Sequence, residues 1–337
     1  MNTPCLKIQK AVTACLLSVF SILVNLTATE IVGTNLPPAR EAGLGVRSSP
    51  PRVESAETRH AFVCTDYTQG KVFIISASGQ IEWEYDGATR CNDIWVLPNG
   101  NFLFNTGHGV KEVTREKKVV FDYESASEIY ACQRLANGNT FIGECSAGRL
   151  LEANPAGQIV KEIKLLPPGT NGGHLFMRNA RQLANGNYLV THYGSQVVRE
   201  YDPTGKMLRE IPAAGGPHSV VRLPNGNTLI SCGDLSGNPR VVEVDAAGKT
   251  VWQVASNELA GVQLKFMAGL QRLPNGNTLM ANWLGHKQFG TTADLIEVTP
   301  DKRVVWKFYG GDKIRTVSNA FLLDEPSGET ARGEMLH

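Results

Sequence analysis

The sequence predicts an all-β protein, a six-bladed β-propeller with four antiparallel strands in each blade. A nine-residue phrase, RLPNGNTLI from Arg222 and close variants of it, occurs five times. A second β-rich phrase occurs six times, and one apolar strand near the C-terminal end stands alone. Short strands repeated every forty to fifty residues or so are typical of propellers, because each twisted sheet buries both faces against its neighbours.

The repeated phrase predicts an inner hairpin of two strands, named a and b. Its Asn-Gly-Asn cores begin at Asn99, Asn137, Asn185, Asn225 and Asn275. Asn-Gly between two apolar runs favours a tight hairpin turn, because both residues tolerate positive φ. The proline that precedes three of the cores also fits a type I turn followed by a left-handed glycine. In either geometry the chain reverses at this point.

The second phrase supplies the outer strands c and d, as in VVEVDAAGKTVWQV from Val241. The first unit has strand b (AFVCTDY from Ala61), c and d, but no strand a. SNAFLLD, residues Ser318 to Asp324, has the pattern of strand a with nothing after it. We therefore expect this C-terminal strand to complete the N-terminal blade and close the ring, which leaves no open sheet edge.

The sequence predicts four segments along the chain. Residues 1–28 are predicted to be a signal peptide: Lys7 and Lys10 precede an apolar run, residues 11–24, that is shorter than a membrane span. An uncleaved N-terminal anchor is the alternative. Residues 29–59, rich in Pro, Gly, Ser and charge, are predicted to be a disordered linker. The propeller covers 60–325 and a flexible tail 326–337. The signal predicts an extracytoplasmic location, periplasmic or secreted.

Charge and cysteine content limit the partners. Lys plus Arg number 33 against 32 Asp plus Glu, so no basic surface for nucleic acid is predicted. We expect a monomer with a small-molecule or glycan ligand, and membrane contact only through an uncleaved N-terminal segment. Five cysteines follow residue 28, an odd number with irregular spacing that does not indicate a disulfide framework. Cys132 and Cys145 flank one hairpin and could face each other; burial as small hydrophobes is the alternative.

LPNGNTLI from Leu223, followed by D-x-x-G-K-x-V-W from Asp245 to Trp252, resembles a known group. It is similar to secreted bacterial propellers of the PQQ-binding-like and arylsulfotransferase-like kind, with a strand order like that of NHL repeats. The resemblance covers roughly residues 60 to 324 and implies architecture rather than activity, since propellers host many chemistries. Quinoprotein propellers have eight blades, so bound PQQ is not expected here. No cofactor is predicted, and a metal ion is left open.

A ligand site is predicted where strands a begin and strands b end, because the blades converge there around the central channel. Candidates come from the fourth and fifth residues before the leucine that ends strand a, and from the end of strand b. The long segments 165–175, 255–265 and 284–293 belong to the same face. The catalytic candidates are His192, His218, Tyr130 and Arg178. The ligand-binding candidates are Asp93, His108, Glu144, His174, Asn179, Tyr193, Trp283 and Asn319.

The residue types at this face favour an anionic ligand. The guanidinium of Arg178 suits carboxylate or sulfate, and histidine can act as a base near neutral pH. Trp283 and Tyr193 could form a platform for a sugar ring, while Glu144 could act as an acid or base or pair with Arg178. His108, His192 and His218 could share a metal, although no local ligand spacing supports it. Trp83, Trp252 and Trp306 repeat in strand d and are assigned to structure.

Two functions remain open from the sequence. One is an enzyme that acts on an anionic carbohydrate, or on a sulfated or carboxylated small molecule, through His, Tyr and Arg. The other is a non-catalytic propeller that binds a ligand or a protein.

Overall fold

The computed structural model describes residues 49–55, 58–213, 215–324 and His337. Six sheets, each with four antiparallel strands of the repeat, form a ring, which confirms the predicted all-β six-bladed propeller. The predicted signal peptide, most of the predicted linker and all of the predicted tail except His337 lie outside the described residues. No helix within the described ranges is long and apolar enough to cross a membrane.

The strands follow one another blade by blade after a short first strand, β1 (Arg52–Ser55). Blade 1 holds β2 (Phe62–Asp66), β3 (Lys71–Ile75) and β4 (Ile81–Asp86); blade 2 holds β5 (Ile94–Val96), β6 (Phe102–Thr106), β7 (Gly109–Val113) and β8 (Val119–Glu124). Blade 3 holds β9 (Ile129–Arg134), β10 (Thr140–Glu144), β11 (Arg149–Ala153) and β12 (Ile159–Lys164). Blade 4 holds β13 (Asn179–Gln182), β14 (Tyr188–His192), β15 (Val197–Tyr201) and β16 (Met207–Pro212). Blade 5 holds β17 (Pro217–Arg222), β18 (Thr228–Cys232), β19 (Arg240–Val244) and β20 (Thr250–Ala255), with a 3-10 turn at Ser256–Glu258 after it. Blade 6 holds β21 (Met267–Arg272), β22 (Thr278–Asn282), β23 (Leu295–Val298) and β24 (Val304–Tyr309), and β25 (Val317–Leu322) follows.

The C-terminal strand closes the ring. β25 pairs antiparallel with β2 and sets Phe62 opposite Leu322 and Cys64 opposite Ala320. The predicted closure is therefore confirmed. A side chain reinforces it: the imidazole of His60 lies 2.9 Å from the carboxylates of both Glu297 in blade 6 and Asp324 after β25. Chain segments far apart in sequence are held together at this seam.

Strand β1 was not expected, because it lies within the segment predicted to be a linker without secondary structure. It pairs antiparallel with β24, the outer strand of blade 6, and sets Val53 opposite Phe308. Blade 6 therefore has five strands. Pairing to an exposed strand edge uses main-chain groups, so it needs no alternating apolar pattern that a sequence would reveal.

The inner hairpin turn repeats with one geometry, shown by Leu223 to Asn227. Gly226 donates its N–H to the Leu223 carbonyl at 2.9 Å and has a φ of 87°, while Asn225 keeps a negative φ. This is the type I turn followed by a left-handed glycine, one of the two geometries that the sequence allowed. The second asparagine has a further task. The side-chain amide of Asn227 donates to Glu243 Oε1 on strand c at 2.7 Å.

The same glutamate joins one blade to the next. Glu243 accepts a second bond, from the Arg272 guanidinium of blade 6, at 2.9 Å. Arg134–Glu112 and Arg222–Glu200 repeat this link at 2.6 and 2.8 Å. The repeated phrase therefore encodes a turn, a bond within the blade and, in these three copies, an ion pair between blades.

Other repeated or buried groups serve packing. The Trp83 and Trp252 indoles donate across blade boundaries to the carbonyls of Arg115 and Pro300 at 2.7 and 2.8 Å. Trp306 is fully buried. All five cysteines of the propeller are buried and free, so the pairing considered for Cys132 and Cys145 is not formed.

Candidate functional site

One mouth of the central channel holds a cavity of about 310 Å³. Strands a supply one set of lining residues and the first residue after strand b supplies another. The strand-a set is Asn92, Tyr130, Arg178, His218 and Ala268, and the set after strand b includes Tyr67, Tyr193 and Trp283. Loops add His174, Leu175, Asp234, Leu235, Phe266 and His286. The long segments 165–175 and 284–293 thus contribute residues to the cavity, and Phe266 directly follows the segment 255–265. All of them belong to the face where a site was expected.

Arg178 is the central charged group of this cavity. It precedes β13, is 7% exposed, and its guanidinium carbon lies 4.5 Å from the ring centre of Tyr130 and 5.0 Å from that of Tyr193. Its Nη1 donates to the carbonyl of His174. No carboxylate of the described chain lies within ion-pair distance of it. A buried cation held between two aromatic rings, with no carboxylate of the described chain beside it, has the charge and the exposure to the cavity that an anion would need.

Arg181, three residues later, shows how the protein satisfies a buried arginine elsewhere. Its Nη1 and Nη2 donate to the two carboxylate oxygens of Asp93 at 2.7 and 2.8 Å. The guanidinium also lies 4.9 Å from the ring of Trp95, and its Nε donates to the carbonyl of His337. Asp93 is therefore engaged across the channel between blades 2 and 4 rather than facing the cavity.

His218, in strand β17, is the second open polar group. It is 6% exposed and has no hydrogen-bond or ion-pair partner in the part of the chain that the structure describes. Its ring meets the edge of Phe266 at 5.2 Å between centres. Burial, and then the positive charge of Arg178, lower the pKa of His218 to about 3. The imidazole is neutral at pH 7 and can donate and accept hydrogen bonds in the cavity.

Two tyrosines connect Arg178 to the outer polar groups. The Tyr130 hydroxyl lies 3.3 Å from Nδ1 of His174, which is itself 2.9 Å from a Glu128 carboxylate oxygen. The Tyr193 hydroxyl donates to Asp234 Oδ1 at 3.2 Å. Burial raises the pKa of both hydroxyls far above the ordinary tyrosine value. Both are therefore hydrogen-bonding groups at neutral pH and poor proton donors for catalysis.

An aromatic cluster forms the opposite wall. The Phe266 ring lies 5.3 Å from Trp283 and 6.1 Å from Tyr193, and Trp283 meets Tyr67 at 5.8 Å. The indole Nε1 of Trp283 is buried and has no hydrogen-bond partner among the residues that the structure describes. A smaller cavity of about 180 Å³ shares Asp234, Phe266, Trp283 and His286 with the first. The site is thus a cleft lined largely by aromatic side chains, with Arg178 and Asp234 as charged groups in its lining.

His192 does not reach the cavity, although the sequence placed it with Arg178 and Tyr130. Its Nδ1 lies 3.0 Å from the carbonyl oxygen of Phe176, just before β13, and its Nε2 lies 2.8 Å from the hydroxyl of Tyr201 on β15. Burial lowers its pKa to about 4. Among the four catalytic candidates, the structure brings together Tyr130, Arg178 and His218, and it leaves His192 inside the blade.

The ligand-binding candidates divide in the same way. His174, Tyr193 and Trp283 line the cavity. Glu144 is buried in an ion pair with Arg149 and does not pair with Arg178. Asn179 donates its main-chain N–H to Thr191, and Asn319 contacts the Asn92 carbonyl. His108 is exposed and is not part of the lining.

The pleat of strand a explains most of this division. Every strand-a residue in the lining is the fifth before the leucine that ends the strand, as Arg178 is before Leu183. The fourth residues, among them Asp93, Asn179 and Asn319, point elsewhere because successive side chains alternate in direction. Tyr67 and Phe266 were missed. Tyr67 holds the same place after strand b as Tyr193, a signal present in the repeat.

The metal option for three histidines is not supported by their positions. Within the described residues, no group of three or more His, Cys, Asp or Glu side chains is arranged to hold a metal ion. His192 is engaged in blade 4, His218 faces the cavity, and His108 lies in neither place.

Solved structures of other proteins are similar to this chain in fold. A protein of unknown function from Bacteroides caccae is 28% identical, with a TM-score of 0.69 over 78% of this chain and 98% of that one. A streptogramin B lyase is 14% identical, with a TM-score of 0.53 over 78% and 84%. A virginiamycin B lyase from Staphylococcus aureus is 12% identical, with a TM-score of 0.49 over 78% and 89%. At 14% identity the streptogramin B lyase is similar in fold alone. No family model and no curated protein sequence matches the chain.

Proposed function

We propose that this propeller binds a small organic anion, a carboxylate or sulfate, in the cavity at the channel mouth. The observation that carries the proposal is Arg178: of the two arginines buried in the described structure, Arg181 has a carboxylate partner and Arg178 has none. Burying a charge is costly unless an opposite charge meets it. A ligand anion supplies that charge to Arg178.

The rest of the cavity suits the carbon body of such a ligand. Tyr67, Phe266 and Trp283 offer apolar ring surface, and His218 and the Trp283 indole offer unpartnered hydrogen-bonding groups. Aromatic rings stack on sugar rings and on aromatic rings alike. An anionic sugar such as a uronate and an aromatic carboxylate therefore both belong to the ligand class.

Calorimetric titration tests the proposal with benzoate, phenyl sulfate and galacturonate. We expect at least one to bind the wild-type protein, and Arg178→Gln to weaken that binding by at least about thirtyfold, because a buried charge pair is lost. Arg178→Lys keeps the charge but loses the fork, and an intermediate loss is expected. Arg199→Gln, on strand β15 of the same blade and paired with Glu210, is the matched control. Equal affinity in Arg178→Gln and wild type would overturn the proposal.

Catalysis is a second candidate, favoured by one observation: the unpartnered imidazole of His218 faces the same cavity as Arg178. The positive charge of Arg178 helps to lower the pKa of His218. An anion bound to Arg178 offsets that charge, so it raises the pKa of this base towards neutral pH. Mass spectrometry of incubated ligands tests it. A product formed by wild type and absent with His218→Gln supports an enzyme; binding with no product in either leaves a binding protein.

A further inference from the structure

We infer, building on the proposed anion site, that its ligand is a zwitterion, with a cationic group that sits at Asp234 against the aromatic wall. The cavity holds one cation and one carboxylate that do not pair with each other. Arg178 lies over the Tyr193 ring, and Asp234 accepts a hydrogen bond from the Tyr193 hydroxyl. A ligand that carries both charges satisfies both groups at once.

Asp234 is available to such a cation. Its side chain is 39% exposed, and in the described chain its nearest basic group is Nδ1 of His286, 3.6 Å from Oδ2. Lys265 lines the smaller cavity that Asp234 also lines, but it forms no ion pair with Asp234. The one close hydrogen bond to Asp234 from the cavity wall comes from the Tyr193 hydroxyl, to Oδ1. Within the described ranges, the basic group within ion-pair distance of its second oxygen, Oδ2, is Nδ1 of His286, at a distance longer than a hydrogen bond.

The surrounding rings suit an ammonium group. Tyr193, Phe266 and Trp283 lie beside Asp234, with successive ring centres 6.1 and 5.3 Å apart. Cations are attracted to aromatic faces, and desolvation in a partly closed cavity strengthens this attraction. A carboxylate together with several aromatic side chains forms a recognisable ammonium pocket.

Tyr193 also keeps the two charges of the site close to each other. The guanidinium of Arg178 contacts the Tyr193 ring, and Asp234 contacts the hydroxyl at the end of that ring. Both protein charges thus lie along one tyrosine side chain. A ligand no longer than one substituted ring can therefore place its carboxylate at Arg178 and its ammonium at Asp234.

Two probes of the same size separate the cation from the anion: para-(aminomethyl)benzoate, a zwitterion, and para-ethylbenzoate, which has a methyl in place of the ammonium. Calorimetry of the full chain is expected to show the zwitterion bound about tenfold more tightly. In Asp234→Asn this preference falls to within about threefold. Asp122→Asn, a partly exposed carboxylate on outer strand β8, is the control and keeps the preference. Thermal unfolding of each variant confirms that it is folded.

The outcomes separate this inference from the proposed function. If para-ethylbenzoate binds in an Arg178-dependent way and the zwitterion binds no better, the zwitterion inference is overturned and the anion site stands. The same holds if Asp234→Asn keeps the tenfold preference. If neither probe shows Arg178-dependent binding, both proposals fall for this ligand class.

Discussion

Arg181 and Asp93 meet in a two-fold hydrogen-bonded ion pair across the central channel, with nitrogen to oxygen distances of 2.7 and 2.8 Å. The pair joins blade 4 to blade 2, and both side chains are buried. Its carboxylate also accepts the Cys132 main-chain N–H at 3.0 Å, which brings blade 3 into the same contact. This ion pair and its hydrogen bond therefore link blades 2, 3 and 4 at the central channel.

Breaking this pair from one side is expected to be severe. Arg181→Met leaves the Asp93 carboxylate buried without its cation, and should lower the free energy of unfolding by about 3–5 kcal/mol. The double variant Asp93→Asn/Arg181→Met removes both charges and should recover part of the loss. Urea denaturation in a double-mutant cycle measures the coupling. Additive losses would show that the two side chains do not act as a pair.

Arg178→Met, unlike Arg181→Met, should cost the protein little stability. The wild-type guanidinium is buried without a carboxylate, so its removal also removes a desolvation cost, and methionine keeps contact with the two tyrosine rings. We expect the free energy of unfolding to fall by less than about 1 kcal/mol, or to rise, while anion binding is lost. A loss as large as that of Arg181→Met would assign Arg178 to the scaffold instead of the site.

Binding should depend on pH through His218. In the free protein its pKa is about 3, because of burial and the nearby Arg178 charge. An anion on Arg178 cancels part of that effect, so the pKa rises on binding and protonation then favours the complex. Affinity for phenyl sulfate, which stays ionised in acid, should therefore increase as the pH falls from neutral towards the free-protein value of about 3, and His218→Gln should flatten this trend. NMR titration of the imidazole with and without phenyl sulfate measures the shift directly; an unchanged pKa would contradict the coupling.

Asp294 should make the propeller less stable at high pH. Burial raises its pKa to about 8 from an ordinary 3.8. The folded state therefore holds a proton that the unfolded state releases, and stability falls as pH rises between these two values. The slope is at most about 1.4 kcal/mol per pH unit. Thermal unfolding across this range should show a smaller fall for Asp294→Asn than for wild type. Asp301→Asn, in an exposed turn, should show the same pH dependence of stability as wild type. If Asp294→Asn also shows the wild-type pH dependence, Asp294 is not the group that lowers stability at high pH.

The propeller fold could be predicted from the sequence because each blade repeats the same local chemistry. Asn225, Gly226 and Asn227 specify a turn by their own backbone preferences, and the lone strand SNAFLLD leaves the first blade as its partner. Strand β1 could not be predicted in this way, because its pairing with β24 depends on main-chain groups that every residue has.

The lining of the cavity was predicted in part for a related reason, while its function stays a prediction. Its face, and Tyr130, Arg178 and His218 on it, follow from counting back from the leucine that ends each strand a. His192 was misplaced because direction alternates with each residue, and the sequence does not state which end residue of strand b turns inward. The unpaired state of Arg178 depends on where carboxylates of other blades lie, which only the folded ring determines.

A crystal structure of the protein with para-bromobenzoate shows whether Arg178 binds the anion, since bromine is located by its anomalous signal. We expect bromine in the cavity lined by Tyr130, Tyr193 and Trp283, with the carboxylate oxygens within hydrogen-bond distance of the Arg178 guanidinium. A ligand bound elsewhere on the ring, or one that lies in this cavity with its carboxylate turned away from Arg178, would contradict it.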